Sequence, residues 1–216
     1  MKNLVLLLVM VLSATFTFAE NDNYTKAMSA ALTALGEASS PDDFKAVANQ
    51  FERIANVEKD QWLPNYYAAY ALLINASNQK EATKKDGGLD AAQQFLNKAA
   101  ENEHDKSEVA ALQGFIHMIR IGVDPASRGP QYSGMSAAAL QKSIAINPNN
   151  PRAMHLLAQL SFGTAQFFGS DTSEACGQNE AAIKLFTTEE SAQKNDPLAP
   201  AWGKHMAEGF QRQCGG

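Results

Sequence analysis

The sequence predicts an all-α protein built as a helical-hairpin solenoid, with about four helix pairs and a C-terminal capping helix. Three observations carry that prediction. Apolar residues step by three and four along most of the chain, as in Phe44, Val47, Phe51 and Ile54. No run alternates β-branched and polar residues in the manner of a strand. A joint of one kind also recurs: ERIANVEK from Glu52, NKAAENEH from Asn97, QKSIAINP from Gln141 and ESAQKNDP from Glu190 align, with Ile54, Ala99, Ser143 and Ala192 falling 45, 44 and 49 residues apart. The helices after these joints repeat too, with Tyr66, Ala110, Met154 and Trp202 spaced by 44, 44 and 48. A register held over four copies marks a repeat array.

The first residues stand outside the array. Met1-Lys2-Asn3 is a short positive start, Leu4 to Leu12 an unbroken apolar run, and Thr17-Phe18-Ala19 sets small residues before Glu20. This pattern predicts a signal peptide over 1–19, cleaved after Ala19, and hence a periplasmic or secreted protein with no membrane span after cleavage. The remainder, 20–216, reads as one domain with pairs at about 23–60, 62–104, 105–148 and 149–197 and a capping helix over 198–214.

The elements follow in order. Asn23 to Ala38 offers a small-residue face of Ala27, Ala30, Ala31 and Ala34. Ser40 is placed as the N-cap of a second helix, with Pro41 at its first position and Asp42-Asp43 against its dipole. A third helix begins near Trp62-Leu63-Pro64 and buries Tyr66, Ala69, Tyr70 and Leu73. The polar run Asn78 to Gly88 reads as a solvated connection and Leu89 as the start of the fourth helix. A fifth spans Ser107 to Ile121. Gly122 to Met135, with two prolines and three glycines, reads as a long loop before a sixth helix from Ser136 to Asn147. At Asn147-Pro148-Asn149-Asn150-Pro151 the chain turns tightly into a seventh helix, since Pro148 stops one helix and Pro151 suits the first turn of the next. Gln166 to Asn179 reads as a second long loop, followed by helices over roughly Glu180 to Lys194 and Pro200 to Gln213.

Turns between pairs are short in this reading, whereas the turns inside each pair are expanded. The expanded turns should share one edge of the array, bringing the Lys-rich 78–88 segment, the Arg128 loop and the Phe167-Phe168 loop together.

The stretches QFERIA, QWLPNYYAAYALLI, VDPASRGPQYSG, NPNNPRAMHLLAQL with FFG, and PLAPAWGK resemble secreted tetratricopeptide-repeat (TPR-like) proteins of the Bacteroidetes bacteria. The similarity spans nearly all of the mature chain and includes the turns. It implies an exported helical-repeat protein and brings no established activity. Against the repeat pattern, Ser161 and His117 stand where a large aromatic is usual, and the spacer at Ala201-Trp202 is one residue short.

Composition excludes several functions. Without the leader the chain keeps 17 basic against 23 acidic residues, the wrong sign for a nucleic-acid surface. His104, His117, His155 and His205 lie on separate segments without ligand spacing, so no metal site and no cofactor is expected. No nucleophile elbow, Ser-His-Asp arrangement or phosphate loop is present, and the chain reads as non-enzymatic, with no catalytic residues. Cys176 and Cys214, in a chain sent to an oxidising compartment, are expected to pair.

The expected binding residues lie on the edge of long turns: Arg128 with its planar donor fork, Tyr132, and Phe167 with Phe168, two adjacent aromatics that are costly in a solvent-facing loop. The function expected first is a protein or peptide interaction scaffold in the bacterial envelope. The alternative is a small-molecule or glycan binding module using the long loops of the third and fourth pairs.

Overall fold

In the computed structural model, the described residues are 22–101, 106–192 and 196–215. The leader expected over 1–19, His104 and Lys194 lie outside them. Among the described residues there are nine helices and no strand: α1 (22–37), α2 (Pro41–Val57), α3 (Leu63–Ser77), α4 (Ala82–Glu101), α5 (Lys106–Ile121), α6 (Pro125–Ile146), α7 (Pro151–Phe168), α8 (Ser173–Ala192) and α9 (Lys204–Cys214). Consecutive helices pack side by side as hairpins. The first helices of successive pairs, α3, α5 and α7, also touch one another, and α9 lies on α8 and α7.

Local chemistry sets the helix starts. Ser40 caps α2 in a reciprocal box: its hydroxyl accepts from the Asp43 N–H, and the Asp43 carboxylate accepts from the Ser40 N–H at 2.8 Å. The Asp43 carboxyl is held below the usual range by the Ser40 side-chain and backbone hydrogen bonds. Asn150 caps α7 by accepting from the Ala153 N–H at 3.1 Å, with Pro151 at the first helical position. Gly169, in the left-handed region at φ 67°, ends that helix.

The two long loops are not formed, and the reason is the same in both places. Inside each pair the turns are three or four residues, so the repeat's extra length sits in longer helices. Asp124 accepts from the Ser127 N–H and starts α6 at Pro125, where the missing N–H costs nothing. The helix then runs through Pro130. The residue before it is Gly129, whose missing Cβ removes the clash that keeps most residues before proline out of the helical region. The 78–88 segment is helical from Ala82, because Asp86 and Asp90 are drawn onto Arg128 and Arg120. Gly88 lets α4 lie against α3: a Cβ there would meet Ala76 Cβ at 2.9 Å. In the 166–179 segment, α7 continues to Phe168 and α8 starts at Ser173. The capping helix begins later than expected, at Lys204, with Trp202 ahead of it.

One continuous core runs from Tyr24 and Met28 of α1 to Leu156 of α7 and Leu198. Its closest contact joins α5 and α6. A Cβ on Gly114 would sit 2.5 Å from Leu140 Cγ, the Ser136 hydroxyl donates to the Gly114 carbonyl at 2.8 Å, and Ser143 donates to the Ser107 carbonyl at 2.8 Å. A smaller cluster of Ala158, Phe162, Ala175 and Phe210 lies under α9, beside the Cys176–Cys214 disulfide.

At the centre of the array Arg152, 3% exposed, joins three helices. Its Nε and Nη2 donate to Glu108 of α5, both at 2.8 Å, and Nη1 donates to Glu189 of α8 at 2.8 Å. Burial alone would depress the Arg152 pKa, but Glu108 and Glu189 reverse this and hold the guanidinium charged. Glu108 also accepts from Asn150 at 2.7 Å and from the Tyr66 hydroxyl at 2.9 Å. The C-terminal segment completes this centre: Trp202 donates to the Tyr66 hydroxyl at 2.8 Å and stacks between Tyr70 of α3 and Phe115 of α5. Leu198 accepts from Tyr67 at 2.9 Å. Leu198 and Trp202 thus lie over the part of the first-helix face made by α3 and α5, where a repeat scaffold would take a peptide.

Candidate ligand groove between α6 and α7

Two adjacent helices whose facing residues are small leave a groove, and α6 with α7 does this near the turn inside the fourth pair. On α6 the wall is Ser133, Gly134, Ala137 and Gln141, one helical face at steps of three and four. On α7 it is Leu157, Leu160, Ser161, Thr164, Ala165 and Phe168, and Ser170 closes the end. The groove measures about 490 Å3, inside the range of small-molecule sites, and its lining is mostly apolar. Ser161 is one of the small residues in this lining.

The groove's polar groups are few and uncharged. The Thr164 hydroxyl is engaged by the Leu160 carbonyl at 2.9 Å, and the Ser133 hydroxyl donates to the Gly129 carbonyl. Gln141 and Ser161 have no side-chain hydrogen bond among the described residues and remain free to orient a ligand. The lining contains no imidazole, thiol or thioether. Phe167 and Phe168 stand at the mouth, 81% and 73% exposed, with their rings edge to face at 5.0 Å. An aromatic pair this exposed is costly in water.

The four expected binding residues separate into two places. Phe168 lines the groove with Phe167 beside it. Arg128 sits in the first turn of α6, its fork closed on Asp86 of α4 at 2.6 and 2.8 Å. The Asp86 carboxyl is accordingly held below its usual range by that hydrogen-bonded pair. Tyr132 packs beside Arg120 and His117, at 6.0 and 5.9 Å between centres, and neither it nor Arg128 lines the groove. The helix explains the split, since neighbouring positions on α6 point about 100° apart.

The described histidines, His117, His155 and His205, form no cluster. His155 is fully buried, with Nδ1 2.7 Å from the Asn179 Oδ1; the Asn179 amide nitrogen donates to the Ala207 carbonyl at 2.9 Å, so the imidazole is the donor. Burial lowers its pKa against the opposing Asn179 bond. Among the described residues no group of three or more His, Cys, Asp or Glu could hold a metal ion, and no helix is long and apolar enough to cross a membrane.

No protein-family model matches the chain, and no curated protein sequence does. A solved structure, the HusA haemophore from Porphyromonas gingivalis, is similar over 88% of this chain and 92% of its own, at 30% sequence identity and a TM-score of 0.77. The chain belongs to the same family as HusA. The helical-hairpin fold is thus shared across a HusA relative at this distance, together with its length. HusA is by its name a haemophore.

Proposed function

We propose that this protein is a non-enzymatic carrier or capture protein for a flat, largely apolar small molecule of the haem class, bound in the α6/α7 groove. The observation that carries the reading is the open apolar groove with Phe167 and Phe168 uncovered at its mouth. The kinship with a haemophore supplies the ligand class. A planar macrocycle would slide between α6 and α7 and meet the Phe168 ring, with Gln141 and Ser161 as hydrogen-bonding partners and its ionised edge left in water. Because the lining offers no ligating side chain, ring burial rather than iron coordination holds the ligand. Leu198 and Trp202, lying over α3 and α5, speak against a peptide held on that part of the inner face. With a leader over 1–19 and the Cys176–Cys214 disulfide, the protein belongs in this reading to the periplasm or beyond, and its repeats to the tetratricopeptide type.

Haemin and metal-free protoporphyrin, titrated by quenching of intrinsic fluorescence, should bind within tenfold of each other. Phe168→Ala should weaken both about 10-fold, the worth of one lost aromatic contact together with its burial. Binding of haemin alone, abolished on removal of the iron, would contradict the reading.

A further inference from the structure

The docking of α9 runs through one buried histidine. The Asn179 amide nitrogen, on α8, donates to the Ala207 carbonyl at 2.9 Å and to Gln211 Oε1 at 2.7 Å, both on α9. Its Oδ1 is left to accept from His155 Nδ1 at 2.7 Å, so the neutral imidazole carries its proton on Nδ1 and leaves Nε2 bare. That Nε2 is buried with no hydrogen-bond partner among the described residues. One turn on, along the same side of α7, Gln159 Oε1 is also buried and unpartnered. The Phe210 ring of α9 packs beside the imidazole, 6.0 Å between centres.

None of the surrounding charges bonds to this ring. On α7, Arg152 lies one turn away, closed on Glu108 of α5 and Glu189 of α8. On α9, Lys204 is closed on Glu190, Glu208 is half-buried, and His205 and Arg212 are exposed, as are Glu174, Glu180 and Lys184 of α8. The cysteines between these two helices are bonded and do not titrate. We propose that His155 is an acid-sensitive latch for α9: protonation at Nε2 creates a buried imidazolium that the neutral Gln159 amide does not balance, and α9 is released from α7 and α8 on its Cys176–Cys214 tether. Burial lowers the imidazole pKa, against the Asn179 bond, and no ion pair offsets it. Once exposed, the ring regains its ordinary value of about 6.5. Docking is therefore fully favoured above that pH and weakens as the pH falls below it.

The test is amide hydrogen exchange at pH 7.5 and pH 5.0, corrected for the intrinsic exchange rate, on the mature chain with its disulfide intact. Opening of 204–214 should rise at least about tenfold at the lower pH, the linkage expected of one imidazole whose pKa differs by a unit or more between docked and released states. The amides of α2 and α3 should keep their protection. His117, whose pKa burial also lowers, sits beside Tyr132 of α6 and reports there rather than in 204–214. His155→Gln, neutral across this range, should cut the rise to less than about twofold. If that variant does not fold, Gln159→Glu decides the matter: a carboxylate one turn away supplies the counter-charge, so the rise should shrink and the His155 pKa measured by NMR should go up. His205→Gln, at an exposed position, should keep the wild-type profile. No rise in the wild type, a full rise in His155→Gln or Gln159→Glu, or a profile lost in His205→Gln would each overturn the latch.

Discussion

Arg152→Ala is expected to lower the unfolding free energy by about 3–5 kcal/mol in urea denaturation, the cost of breaking a buried ion pair by deleting one partner. The reason is what the deletion leaves behind. Glu108, 3% exposed, would keep Asn150 and Tyr66 as donors but lose its two bonds from the guanidinium. An uncompensated carboxylate would then lie at the meeting point of α3, α5 and α7. The double variant Arg152→Met with Glu108→Gln should recover a substantial part of the loss, because the stranded charge is then gone. Lys204→Ala, which removes the exposed bridge to Glu190, should leave the midpoint unchanged. If Arg152→Ala unfolds at the wild-type urea concentration, the network is not what fastens the pairs together.

Replacing Cys176 and Cys214 together by Ser is expected to cost about 4 kcal/mol or less, from the loop-closure entropy of the unfolded chain. The 38-residue separation sets that ceiling. The folded-state consequence is local: α9 rests on the small cluster around Phe162 and Phe210, and the bridge is its covalent tie to α8. Hydrogen exchange should therefore rise first in 204–214, while α2 to α5 remain protected. Uniform exchange throughout the chain would show that α9 and the array unfold as one unit.

Much of the architecture is written locally. Ser40 with Asp43, Asn150 with Pro151, and the recurring joints after Ile54 and Ser143 place helix starts and pair boundaries through contacts a few residues long. The failures come where a local rule met a longer-range partner. Gly and Pro between 122 and 135 signal a break, yet Gly129 relieves Pro130 and Asp86, 42 residues away, ties down Arg128. Nothing in the spacing of Glu108, Arg152 and Glu189 announces their convergence, because it depends on the pitch at which pairs stack. The same holds for Trp202, whose partners Tyr66 and Tyr70 lie far back in the chain.

The candidate site was half legible. Phe167-Phe168 stands out in any sequence as two large apolar residues beside turn formers, and the structure leaves both rings uncovered. Arg128 and Tyr132 lie in a stretch whose prolines and glycines read as a loop; on a helix they face α4 and α5. Ser161 lines the groove with Ser133, Gly134 and Ala137, small residues that no local rule marks as a site.

The direct measurement is haemin titration of Ser161→Trp, which places a large aromatic in the α6/α7 groove. Its helical circular dichroism and melting temperature should match wild type, while haemin affinity falls at least about 100-fold, on the scale of a site whose buried volume is lost. Wild-type haemin affinity in a folded Ser161→Trp protein would contradict the placement of the ligand between α6 and α7.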